Sequence, residues 1–375
     1  MSIRKCHDPL KWLDNAVSCE VWPALPEKQV FEKPGRCQLR PFLVRSSVKM
    51  ETPASPLKEI RTRLRQGAAA GDVAAMAELG RSLLAEPPFA PYDGIKFTME
   101  AAQKGHADAT HLLAVFAACG AGLKQDWSAA VDYLRHAARF GSSLAREQLA
   151  LLELAVDAAP VSDAAPAIAR WLATPSPRMV HQAPRIGVVE NFLTPAFCDW
   201  LIRRARPQLK RAETYGRGTG TASVVAARTG SSMDFPIVEA DLVVALVREK
   251  IAQICNLPTR QMEHTVILHY APGQQYFQHY DFLDEKDSGG AQDIAQRGQR
   301  VFTFLIYLND DFTAGETGFP RLDWRYKGRK GDAVFFWNVT PDGTCDRETL
   351  HAGLPPAQGE KWLLSQWIRG PVRPV

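Results

Sequence analysis

Two hydrophobic rhythms divide the chain. From residue 56 to about 156 apolar positions recur at helical spacing, with Ala and Leu dominant. Gly71, Gly105 and Gly141 punctuate this stretch at intervals of 34 and 36 residues (71 to 105, 105 to 141). Each is followed four residues later by Ala75, Ala109 or Ala145, and eight later by Leu79, Leu113 or Leu149. The pairs Ala101-Ala102 and Ala137-Ala138 stand just before their glycines. Gly ends a helix at a turn, Ala lets helices cross closely, and Leu packs one turn on. The period predicts stacked helical hairpins over 51–157, fit to bind a protein partner or brace the next domain.

Beyond this, residues 158–185 are dense in Pro and Ala and read as a linker that permits relative movement, with room for a short helix around Ile168–Leu172. A second domain is expected over 186–375. Ile186–Asn191 reads as a strand. Thr194-Pro195 supplies an N-cap with Pro at the first helical position, starting a helix to Arg206. Glu239–Cys255 is a second amphipathic helix. The rhythm then shortens to strands at Thr265–Tyr270, Arg300–Leu308, Asp332–Trp337 and Lys361–Arg369, separated by Gly, Pro and Asp. Asp284–Arg297 reads as a mobile loop. The fold class is therefore α+β multidomain: helical repeats, then a double-sheet roll with supporting helices. Residues 1–50 show no sustained period, and Met50 directly precedes the first helical stretch. They are expected to be a terminal arm or an extension upstream of the native start. Gly216–Gly220 resembles a phosphate-cradling loop only superficially, because no Lys-Ser/Thr follows it.

Composition narrows the class. Of 375 residues, 46% are hydrophobic and 23% charged, as in an ordinary globular protein. The net charge of +4 is too small to point to nucleic acid, and no nucleic-acid or membrane partner is expected. Seven single cysteines with no CxxC pair argue against a disulfide framework or a zinc site. They fit a reducing compartment, as does the absence of a signal-like apolar core near the start; a cytoplasmic location is expected.

The candidate chemistry lies in the second domain. His279 and Asp281, two apart on an extended segment, share a face. With the distant His351 they make two imidazoles and one carboxylate, a set that holds Fe(II) and leaves positions open. Lone histidines such as His264 and His269 are more often structural than ligating, and a single HxD arises often by chance. It is the combination with Lys361 that raises the odds, because a lysine in an apolar strand calls for an anion.

The segment Tyr270-Ala-Pro-Gly273-Gln-Gln-Tyr276-Phe-Gln-His279-Tyr-Asp281 resembles the YxxGxxYxxHxD signature of the prolyl 4-hydroxylase family. Four further blocks are similar to that family: Asn191-Phe192-Leu193 with Arg228-Thr229, the strand Gly298–Asn309, the turn Ala314–Pro320, and His351–Pro355 with Gly359–Trp362. The first half resembles Sel1-like repeats, relatives of the tetratricopeptide repeat.

The hydroxylase resemblance spans about 186–370. It implies a double-stranded β-helix (jelly-roll) dioxygenase using Fe(II), 2-oxoglutarate and O2, with ascorbate as an accessory. It implies that His279, Asp281 and His351 are metal ligands. Lys361, Tyr270 and Thr317 would hold 2-oxoglutarate, while Tyr276, Arg300 and Trp367 would line a peptide groove. The implied reaction is hydroxylation of proline in a peptide or protein, releasing succinate and CO2. Alternatives are another side chain, a free amino acid, or an inactive repeat-based scaffold. Ala314 departs from the usual Gly, and Arg369 stands near a position where a peptide-contacting His can occur.

Overall fold

The computed structural model describes residues 56–122, 124–157, 164–212, 214–215, 222–223 and 228–371. The expectations for residues 1–50 and for Gly216–Gly220 lie outside them. Ten α-helices occur among the described residues: α1 (Pro56–Ala69), α2 (Val73–Ala85), α3 (Pro91–Gln103), α4 (Ala107–Cys119), α5 (Trp127–Arg139), α6 (Ser143–Leu151), α7 (Ala164–Leu172), α8 (Pro195–Ala205), α9 (Leu242–Cys255) and α10 (Ser288–Arg297). The strands are β1 (Arg178–His181), β2 (Ile186–Val189), β3 (Lys210–Arg211), β4 (Thr214–Tyr215), β5 (Ala222–Ser223), β6 (Ser231–Phe235), β7 (Thr265–Tyr270) and β8 (Tyr276–His279). They continue with β9 (Arg300–Tyr307), β10 (Thr313–Ala314), β11 (Thr317–Phe319), β12 (Trp324–Tyr326), β13 (Ala333–Trp337), β14 (His351–Gly353), β15 (Pro356–Gln358) and β16 (Lys361–Arg369).

The periodic glycines fall where the spacing places them. Gly71, Gly105 and Gly141 have φ of 89°, 85° and 106°, a region that costs other residues strain. Each is followed by an N-cap: Asp72, His106 or Ser142 accepts from the backbone of α2, α4 or α6. Leu79, Leu113 and Leu149 are buried between the helices.

An eight-stranded antiparallel sheet, ordered β1-β2-β13-β9-β16-β7-β6-β3, stands beside a four-stranded one ordered β12-β11-β14-β8. The large sheet is buried on both faces, and side-chain alternation sorts its residues. Phe302, Phe304, Ile306, Phe335, Trp362, Leu364 and Ile368 face the helices, in one hydrophobic cluster that includes Leu79, Phe116, Leu134 and Leu149. Leu268, Tyr270, Leu305, Tyr307, Phe336 and Leu363 face the small sheet in a second cluster. Helices and sheets together make an α+β protein.

Two expectations change. The 158–185 stretch contains α7, which packs on α5 and α9 through Ala167, and Trp171 stacks on Phe197 at 4.6 Å. Lys250 of α9 also donates to Ala173 O, so the described part of this stretch is tied to both neighbours rather than free. The expected loop Asp284–Arg297 is largely helical: α10 is anchored where Arg369 pairs with Asp293 at 2.9 Å. The short helix expected around Ile168–Leu172 is present as part of α7; for α10, polarity suggested a loop but does not forbid a helix once tertiary partners exist.

Candidate active site

The site forms on the inner face between the sheets. β8 and β14 pair antiparallel with His351 directly opposite His279, and their ring centroids lie 4.2 Å apart. Asp281 follows two residues after His279, in the bend that leaves β8. Its Oδ1 is 3.5 Å from His279 Nε2, and its Oδ2 is 3.6 Å from His351 Nε2. One ligand atom from each residue lies within 4.8 Å of the others.

Each imidazole is oriented through its second nitrogen. His279 Nδ1 sits 2.7 Å from Phe277 O, and His351 Nδ1 sits 3.0 Å from Thr349 O. A carbonyl can only accept, so Nδ1 carries the proton and Nε2 presents its lone pair inward, as a metal requires. Burial, helped by the neighbouring His279, pushes His351 down to about 4, which keeps it neutral at neutral pH. Burial alone would raise Asp281, but His351, His279 and the Thr303 hydroxyl outweigh it and hold the carboxyl well below its usual range. A carboxylate facing two imidazole Nε2 atoms suits a divalent cation.

A second polar anomaly lies nearby. Lys361 opens β16 opposite Tyr270 and is fully buried. Its ammonium lies 5.4 Å from the Tyr270 ring centroid and 5.8 Å from that of Tyr307. Among the described residues it has no hydrogen-bond partner, and burial pushes it down to about 7. A buried cation lacking an acceptor is costly unless an anion joins it. The far carboxylate of a dicarboxylate such as 2-oxoglutarate meets that need.

Tyr270, Tyr276, Thr317 and Trp367 share one cavity with the three metal-ligand candidates and Arg228. Tyr276 stacks on His279 at 3.5 Å between ring centroids, and the Arg228 guanidinium lies over the Tyr276 ring at 5.0 Å from its centroid. Thr317 Oγ1 is 2.9 Å from the Tyr307 hydroxyl, which itself donates to Tyr326 O. Tyr307 has one proton to give, so the Thr317 hydroxyl donates to it. Arg300 is engaged differently from an open peptide ligand. Its Nε and Nη2 donate to Glu263 at 2.6 and 2.8 Å, and its guanidinium covers Trp367 at 4.1 Å. Arg369 joins the same ion cluster through Glu263.

Three participants were not legible as such. Tyr307 contacts Thr317, Thr303 donates to Asp281 Oδ2 at 2.7 Å, and Asn338 donates to Thr303 at 2.9 Å. A polar Thr303 within the apolar run of β9, in phase with Leu305 and Tyr307, is the available signal.

Two imidazoles and a carboxylate, each presenting one atom to a common point, define a facial-triad centre of the non-haem iron class. Residues 265–369 match the 2OG-Fe(II) oxygenase superfamily. Prolyl 4-hydroxylase 1 of Arabidopsis thaliana is 33% identical over 207 residues, covering 52% of this chain and 71% of that protein. Prolyl 4-hydroxylase 5 of the same plant is 33% identical over 219 residues, covering 53% and 71%. A solved viral collagen prolyl hydroxylase from Paramecium Bursaria Chlorella virus-1, in its 2OG complex, aligns at 30% identity and a TM-score of 0.39. That alignment covers 50% of this chain and 96% of the viral one. The chain belongs to the prolyl 4-hydroxylase family of 2OG-Fe(II) oxygenases. It is a 2-oxoglutarate-dependent dioxygenase whose reaction uses Fe(II), 2-oxoglutarate and O2.

Proposed function

We propose that the protein hydroxylates proline within a peptide or protein, with His279, Asp281 and His351 holding Fe(II). The observation that carries this reading is the pairing of two Nε2-presenting imidazoles and a buried carboxylate with Lys361, which has no hydrogen-bond partner among the described residues. The relatives' names supply the proline. When bound, the iron and 2-oxoglutarate supply the oxidising power, with succinate and CO2 as co-products. The chain's own residues bind, orient and exclude water. Lys361 pairs with the far carboxylate of 2-oxoglutarate. Tyr270 stands beside it, and Thr317 reaches it by turning its hydroxyl from Tyr307. Tyr276 and Trp367 wall the cavity where a prolyl ring would sit, and burial there keeps water from the reacting C–H. Arg300 covers Trp367, a wall of that cavity, and so shapes the groove through it.

Under the same proposal, the two sheets form a double-stranded β-helix, and 51–157 is a set of Sel1-like repeats. The glycine period, now seen at the turn of each helix pair, supports the latter. The repeats extend the layer behind the large sheet, opposite the metal ligands, which favours bracing over substrate delivery at the cavity. A cytoplasmic setting, with ascorbate as accessory reductant, completes the reading.

The test is succinate release from 2-oxoglutarate with added Fe(II) and proline-rich peptides, followed by mass spectrometry for +16 on proline. His279→Ala should abolish both signals. Uncoupled turnover in wild type, with no peptide modified on proline, would refute the proline assignment.

A further inference from the structure

The carboxylate of Asp281 is not held by the histidines alone. Thr303, fully buried on β9, approaches Asp281 Oδ2 at 2.7 Å, and Asn338, also fully buried, approaches Thr303 Oγ1 at 2.9 Å. Asn338 follows β13, and its backbone is pinned at both ends: its N–H donates to Val301 O, and its C=O accepts from Asp346 N. The direction of every proton follows. A carboxylate oxygen accepts, and the Thr303 hydroxyl donates its single hydrogen to Oδ2. Thr303 oxygen must then accept, so Asn338 presents its NH2. The opposite amide orientation would compete for that hydrogen and leave two oxygens facing across 2.7 Å. Among the described residues no group donates to Oδ1, which lies 3.5 Å from the unprotonated His279 Nε2.

We propose that Thr303, oriented by Asn338, is a positioning residue for the metal. It binds Oδ2, leaves Oδ1 as the ligating oxygen, and thereby keeps Asp281 a one-oxygen ligand with room for the co-substrate. Holding the carboxylate in this rotamer before metal arrives removes the need to immobilise it on binding. Such outer partners commonly change metal affinity by roughly 10- to 100-fold.

The experiment is titration of the metal-free full chain with Co(II), an oxygen-stable stand-in read by its visible absorption, with folding followed by circular dichroism. Thr303→Val should weaken Co(II) roughly 10- to 100-fold, while Thr303→Ser restores wild-type affinity. Asn338→Ala leaves the Thr303 hydroxyl free to rotate and should give an intermediate loss. A purely structural role would move the apo melting temperature of Thr303→Val and leave the affinity of its folded fraction alone, which would overturn the proposal. Unchanged affinity in Asn338→Ala, or failure of Thr303→Ser to restore binding, would overturn it as well, and these two variants decide the matter should Thr303→Val not fold. Wild type that fails to bind Co(II) would overturn the metal centre itself, on which the role of Thr303 depends; loss confined to no variant overturns only Thr303.

Discussion

Replacing Lys361 with methionine should stabilise the ligand-free protein while abolishing its response to 2-oxoglutarate. The ammonium is fully buried and has no acceptor among the described residues. Its pKa falls from the ordinary 10.5 to about 7 because burial penalises the charge, and the distant Glu316 only partly offsets this. At about 1.4 kcal/mol per pH unit, that difference is worth on the order of 5 kcal/mol. Relaxation and water entry reduce it, so a gain of about 1–4 kcal/mol is expected, the range found when buried charges give way to apolar residues of similar volume. The sign with pH is fixed. Below about 7 the folded lysine is protonated and the penalty is complete. Above about 7 the folded state releases the proton while the unfolded chain keeps it to about 10.5, so wild-type stability rises over that window. The methionine variant's advantage should shrink across the same window. The assay is urea unfolding of metal-free protein at several pH values from about 6 to 10, with and without 2-oxoglutarate. A variant less stable than wild type, an advantage independent of pH, or a retained shift of the urea midpoint with 2-oxoglutarate would each refute the reasoning.

Other outcomes can be checked independently. Glu263 is held down to about 2, because Arg300 and Arg369 outweigh the effect of its burial. Its ion pairs therefore support the fold above about pH 4.5, and that support is lost as pH falls toward 2. Glu263→Gln should cost about 3–5 kcal/mol in urea unfolding near neutral pH by leaving the buried Arg300 without its carboxylate, while Arg369 keeps Asp293, and should raise KM for peptide as Trp367 loses its cover. Gln148 of α6 accepts from Leu242 N at 3.0 Å, helping to cap α9, and its amide lies 2.8 Å from His111. Gln148→Leu should then cost about 1–3 kcal/mol by leaving buried polar atoms unpaired, measured by thermal unfolding. Removing 51–157 uncovers the helix side of the shared core, so the remaining fragment should be insoluble or unfold without cooperativity. A soluble fragment of full activity would show that the helices are dispensable for folding.

Much of the site was legible because its residues sit in short, ordered motifs. His279 and Asp281 are two apart, Lys361 enters an apolar strand, and the glycine period marks three helix pairs. What was illegible depended on partners distant in sequence. Thr303 reads as an ordinary β-branched strand residue, and its function appears only when Asp281 and Asn338 are brought to it from 22 and 35 residues away. Arg300 reads as a residue lining a peptide groove, and its pairing with Glu263 comes from a contact 37 residues away. The α10 segment reads as a loop because its local composition is polar, and the α7 segment as a linker with room for a short helix around Ile168–Leu172; the contacts that fix these helices come from α5, α9 and Arg369.

The amino-acid sequence by itself determined which side chains could do the chemistry and on which face of each strand they stand, since alternation along a strand is a local property. Tertiary structure decided how those faces meet. It set His351 against His279 by strand register, gave both imidazoles their Nε2-inward tautomer through backbone carbonyls, and merged the helical half with the back of the large sheet. Register, tautomer and shared burial all depend on groups far apart in the chain, so no window of sequence contains them.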